Sequence, residues 1–183
     1  MTDTGTSLGP LELADGRWVV GDSRRPGGSW IEFRSQGLYP HTPAGAGEPI
    51  PWSRIMSRMR LTLGGRYPNK GVYTLRGLLA LLPGLRGSGA GYLHLTVREP
   101  YEDRTVYFDR HVRGYPGARL MLLEELLSQL HGAGETHRLG DPHWLGRVVA
   151  ELAAVTPWTF GRLHQEVARA RRAGSGPAPE HRP

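Results

Sequence analysis

Cysteine is absent from the 183-residue chain, which rules out disulfide staples, Cys-ligated zinc and thiol catalysis by its own side chains. Lysine is nearly absent: Lys70 is the single one among 23 basic residues, so arginine carries the positive charge. Phenylalanine occurs only three times, which leaves leucine, valine, tryptophan and tyrosine to build a core. No run approaches the ~18 apolar residues of a membrane-spanning helix, and residues 1–10 show neither a basic n-region nor an apolar h-region. These absences predict a chain that is neither secreted nor membrane-spanning, with a cytoplasmic location.

Glycine and proline are plentiful, at 26 and 15 residues, and they lower the hydrophobic fraction to 38%. Most fall in loops and at the ends, so enough apolar sequence remains for one domain of ordinary size with a helical appendage. A net charge of +6 and a pI near 10.2 favour an anionic partner such as nucleic acid or an anionic lipid surface. Usage rich in Arg, Gly, Ala, Leu and Pro also resembles that of a high-GC bacterial genome, such as an actinobacterial one. Composition alone then accounts for much of the basic charge.

The pattern changes along the chain from period two to helical spacing. Residues 1–13 read as a disordered lead and 174–183 as a disordered Pro/Gly tail. Residues 17–21 suit a short strand, followed by a turn at 22–28. Residues 30–35 alternate, with Ile31 and Phe33 on one face and Trp30, Glu32 and Arg34 on the other. A turn at Gln36 and Gly37 leads to a partner strand over 38–42. Two prolines in 48–55 restrict that stretch to an edge strand or strand entry. Residues 58–63 alternate again, burying Met59, Leu61 and Leu63. Residues 64–91 are the least legible part. Residues 92–98 and 105–112 then form a hairpin across a polar turn at 101–104.

The last third is helical. Leu120, Leu123, Leu126, Leu127 and Leu130 make a wide apolar stripe over 118–131, with Gly132 as a stop. Asp141 before Pro142, and Thr156 before Pro157, each offer an N-cap side chain followed by proline at the first helical position. The first of these helices buries Trp144, Leu145, Val148, Val149 and Leu152. The second runs from 158 to about 172 with Phe160, Leu163 and Val167 inward.

Short strands, the segment Ile50-Pro51-Trp52-Ser53-Arg54-Ile55 after the hairpin of residues 30–42, and a single long amphipathic helix together resemble the bacterial pleckstrin-homology-like domains. The resemblance covers residues 14–132. It implies an α+β fold in which an antiparallel β-barrel or sandwich is closed by one long helix. Here a two-helix C-terminal extension would follow. The expected organisation is a lead over 1–13, a pleckstrin-homology-like β domain with its closing helix over 14–133, a helical extension packed on it over 134–173, and a tail over 174–183.

Four groups of residues carry chemistry worth weighing. The first is Arg24 and Arg25, with Arg34 nearby, whose guanidiniums could bind a phosphate as the basic residues of the first hairpin do in lipid-binding members of the resembled family. A solvated arginine pair would look the same in sequence. The second is Arg162, Gln165, Arg169 and Arg172 on one face of the last helix, as a nucleic-acid-binding helix requires. Glu166 stands within ion-pairing reach of Arg162 and Arg169, which suits an ordinary solvated face. The third is Tyr107, Asp109 and His111, which alternate onto one side of a strand end where acid/base residues could work. The fourth is His131, His137, Asp141 and His143, whose spacing suits helix termini better than zinc.

No glycine-rich loop follows a strand to open a helix, and no nucleophile elbow is present. Neither a cofactor nor a metal is expected. The leading expectation is a non-enzymatic binding or scaffold protein acting through a protein partner or homo-oligomer formation. Two alternatives stay open: a small enzyme using Asp109 and His111, and binding of nucleic acid or an anionic membrane through arginine-rich surfaces.

Overall fold

The computed structural model describes residues 7–63, 90–112, 114–155 and 160–175. Over these residues the protein is a mixed α+β structure with two antiparallel sheets and three helices. The larger sheet is a meander of β1 (Ser7–Leu8), β2 (Leu11–Ala14), β3 (Arg17–Val20), β4 (Trp30–Arg34), β5 (Gly37–Thr42) and β6 (Gly45–Ala46), with β7 (Ile50–Pro51) also paired to β5. The smaller sheet has the order β10 (Glu102–Asp109), β9 (Ala90–Val97), β8 (Arg60–Leu63). The described strands do not close into a barrel.

Residues 7–13, expected as a disordered lead, instead supply β1 and most of β2, with Leu8 and Leu11 fully buried. The physical reason is a β-hairpin. Ala14 pairs with Arg17, leaving Asp15 and Gly16 as a two-residue loop with both φ angles positive, at 50° and 75°. Asp-Gly is a favoured pair for such a turn, whose twist matches that of the strands it joins. It aligns Leu11 with Val20 and Glu12 with Val19. The Trp18 side chain beyond the turn donates its indole N–H to the Pro142 carbonyl at 3.1 Å.

Residues 30–42 form the expected hairpin, with Ile31, Phe33 and Leu38 in the core. Of the proline-flanked stretch, Ile50 and Pro51 pair in the larger sheet, and a 3-10 turn over Trp52–Arg54 follows. Trp52 packs its ring edge-on to Phe33 and donates to the Arg34 carbonyl at 2.8 Å. The two sheets meet at two places. An isolated bridge joins Ile55 to Val97, and the end of β10 is stitched to the β3–β4 connection. There Asp109 N–H donates to the Ser29 carbonyl at 2.7 Å, and Asp22 N–H donates to the Asp109 carbonyl at 2.9 Å. Strand-like residues at 64–89 suggested by sequence lie outside the described residues.

Helix α1 (Gly117–Gly132) buries Leu122, Leu123, Leu126, Leu127 and Leu130. Gly132, the expected stop, is its last residue, and the left-handed position is Gly134, at φ 68°, after the cap Ala133. The Glu135 N–H then reaches the Leu130 carbonyl at 2.8 Å, and the Gly134 N–H reaches the His131 carbonyl at 3.0 Å. This paired closure is the Schellman motif, and it satisfies carbonyls that the helix end leaves open. A 3-10 turn over Thr136–Gly140 leads to α2 (Pro142–Ala153).

The Asp141 side chain accepts from the His143 and Trp144 N–H groups, both at 3.0 Å, and Pro142 occupies the first turn. The buried stripe of α2 is Trp144, Leu145, Val148, Val149 and Leu152, as the spacing requires. Helix α3 (Phe160–Gly174) buries Leu163, Val167 and Ala170. Its expected cap at Thr156 and Pro157 lies outside the described residues. Side chains from both sheets and all three helices belong to one continuous apolar cluster, in which each fully buried Leu or Val contributes roughly 1.5–3 kcal/mol.

Candidate functional site

The face of the larger sheet turned away from the apolar cluster carries its chemistry. Strand alternation puts Glu12, Val19, Glu32 and Tyr39 in one cross-strand row there, through the pairs Glu12 with Val19, Val19 with Glu32, and Glu32 with Tyr39. Glu12 and Glu32 are 4% and 3% exposed, so two carboxylates are nearly dry on what would ordinarily be a wet face. Buried charge is tolerated only when it is paired. Among the described residues each carboxylate touches an arginine and a histidine.

Glu32 receives Arg34 Nη2 at 2.7 Å and lies 3.1 Å from His41 Nε2. Burial alone would push its carboxyl up. Hydrogen bonds from Arg34 and His41, and the charges of Arg34 and Arg17, hold it below its ordinary value instead. The same groups lock the rings around it. Trp30 and His41, directly opposite on β4 and β5, stack with centroids 3.6 Å apart and planes 3° from parallel. The Arg17 guanidinium lies 5.6 Å from the Trp30 ring centroid, and Arg34 lies 4.2 Å from that of Tyr39. Arg17 and Arg34 remain exposed, while Trp30, Tyr39 and His41 are part-exposed.

Glu12 is contacted by Arg24 Nη1 at 3.3 Å and by His111 Nε2 at 3.0 Å, the latter a close contact without hydrogen-bond alignment. On the other side of that imidazole, Nδ1 lies 2.5 Å from Tyr115 Oη, which also accepts the His111 backbone N–H at 2.9 Å. This chain of Glu12, His111 and Tyr115 pins the segment after β10 onto the sheet. His111 is 8% exposed, with one ring nitrogen against Glu12 and the other against Tyr115.

The residues singled out in the sequence are therefore distributed among separate interactions. Tyr107 is 54% exposed beside Tyr92. Asp109 accepts the Ser29 N–H at 3.0 Å and faces Arg25 at 3.8 Å, which makes it a clamp between sheets. His111 is committed to Glu12 and Tyr115, so the three do not converge on one point. Arg24 and Arg25 lie in the turn before β4 and engage Glu12 and Asp109. Arg34 lies at the far end of β4, about 13 Å along a strand from its first residue.

On α3, Arg162, Gln165, Arg169 and Arg172 are exposed, with Arg169 bonded to Glu166 at 2.7 Å. Arg171 faces inward instead, reaching Glu135 at 2.9 Å and Gln129 at 3.3 Å. Of the spaced histidines and their aspartate, Asp141 serves as the α2 cap and His131 sits in the last turn of α1. Among the described residues no group of three or more His, Asp or Glu side chains is arranged to hold a metal ion.

Glu12, His41 and Tyr115 were not signalled as site residues by their sequence. The Asp-Gly turn, which places Glu12 in a strand, is the feature that could have drawn attention to it. No family model, no curated protein and no solved structure matches the chain.

Proposed function

We propose that the protein is a binding or scaffold module that docks another protein chain, a second copy included, on the outer face of β3–β5. The observation that supports this reading is the locked set of Arg17, Trp30, Arg34, Tyr39 and His41 around the buried Glu32 carboxylate. Trp, Tyr and Arg dominate binding energy at protein interfaces. Stacking and ion pairing have already removed much of their rotamer freedom, so a partner would lose less entropy in ordering them.

The meander β2–β5, the three antiparallel strands β8–β10 and the helix that follows also favour the pleckstrin-homology-like reading of the β half. That fold hosts many interaction modules and does not itself name a partner. A catalytic use of Asp109 and His111 is less favoured, because both are held by structural contacts.

The test is quantitative co-isolation from the native host, comparing wild type with a variant carrying Arg17→Ala, Trp30→Ala and Tyr39→Ala. Specific protein partners, or a second copy carrying a different tag, are expected to fall at least about tenfold, the loss of one or two hot spots. Equal recovery with the folded variant would overturn the assignment of this face.

A further inference from the structure

Among the described residues, other arginines that turn inward have acceptors for at least part of the guanidinium, although Arg171 Nε is also buried without a partner. Arg119 donates to the Ser7 and Ala153 carbonyls, Arg147 to the Gly174 carbonyl, and Arg171 to Glu135 and Gln129. Arg110, immediately after β10, differs. It is part-buried, its Nε is sealed from solvent without a partner, and among the described residues its charge is met only by the Tyr115 ring, whose centroid lies 5.6 Å from the guanidinium carbon. Burial weakens the hold of this guanidinium on its proton, opposed by Tyr115, yet arginine stays charged at any working pH.

A partly desolvated cation without an anion is a costly arrangement for a fold to keep. The surrounding geometry is fixed rather than yielding. Tyr115 is held by His111 through two contacts, and His111 by Glu12. Asp109, the preceding residue, is fastened to Ser29 through both its backbone and its carboxylate. The neighbouring Arg24 and Arg25 have Glu12 and Asp109 as counter-charges, so they leave Arg110 as the cation needing one.

We propose that Arg110 anchors an oxyanion-binding site beside Tyr115, taking a single phosphate or carboxylate group with the Tyr115 ring as its wall. The planar guanidinium presents forked donors to two oxygens of such a group.

The experiment is an NMR titration of the full chain with inorganic phosphate, and separately with acetate, each at constant ionic strength made up with chloride. The Arg110 Nε–H resonance is expected to shift saturably with at least one of the two, and which one identifies the oxyanion class. Thermal unfolding is read in parallel. The midpoint should rise with that anion in wild type, stay flat in Arg110→Met, and respond in Arg110→Lys with an apparent affinity about tenfold weaker, since a point charge lacks the fork. No saturable shift with either anion overturns the proposal, as does an Arg110→Met protein that responds like wild type. The resonance shift needs no variant, so it decides the matter even where Arg110→Met fails to fold.

Discussion

A carboxylate taken out of water loses its hydration, and what replaces that hydration decides whether burial costs or contributes stability. Glu32 and Glu124 illustrate the two outcomes. Burial raises Glu32, but Arg34, His41 and Arg17 outweigh it, leaving the folded value below the unfolded one. Its contribution is therefore present above the ordinary carboxylate value and is lost as pH falls through the lower folded value. Glu124, on α1, is raised by burial against weaker opposition from the charges of Arg58 and Arg60. It costs stability at neutral pH, and that cost vanishes below the ordinary carboxylate range. Urea unfolding at a series of pH values should show Glu32→Gln destabilised at pH 7 by about 1–2 kcal/mol, reduced from a fully buried charged hydrogen bond because Arg34 reaches solvent. That gap should shrink below about pH 4. Glu124→Gln should show the opposite sign, more stable than wild type at neutral pH and equal to it in acid. A matching sign for the two variants would contradict the roles assigned to their cations.

At the scale of elements, helix ends make the most separable claims. Asp141 caps α2 through two backbone N–H groups, so Asp141→Ala should cost about 1 kcal/mol. Gly134 stands at φ 68° with open space where a Cβ would be, so Gly134→Ala isolates the backbone strain of the Schellman position, about 1–2 kcal/mol. Chemical denaturation midpoints at constant m-value check both. An unaffected Gly134→Ala would mean that α1 does not end as described. These elements also show what sequence can carry. The α2 cap and its five-residue apolar stripe were readable because both are local signals, confined to one turn or one period. The burial of β1 and most of β2 was not read, because Leu8 and Leu11 gain partners only when the Asp15–Gly16 turn folds them onto Val20 and its neighbours. The outer-face grouping of Trp30, Glu32 and Arg34 was legible from alternation. The arrival of His41 depended on the register of β5, and that of His111 beside Glu12 on a contact across nearly a hundred residues.

Over the described residues, one apolar cluster ties the two sheets to all three helices, and Arg119 bonds β1 to the end of α2. No described helix is long and apolar enough to cross a membrane. With the core facing inward on one side of the larger sheet, its opposite face is left as a rigid surface bearing Trp, Tyr, His and Arg over a neutralised carboxylate. Arg24, Arg25, Arg34, Arg104, Arg138, Arg169 and Arg171 all meet carboxylates, while the net charge of +6 remains. The central claim, that this face docks a protein, is tested most directly by a photo-crosslinking residue placed at Tyr39 in the native host, with the exposed loop residue Tyr101 as the comparison site. The account predicts a discrete crosslinked protein, whether a different chain or a second copy, from position 39 and none from position 101. No product from position 39, or the same products from both, would contradict it.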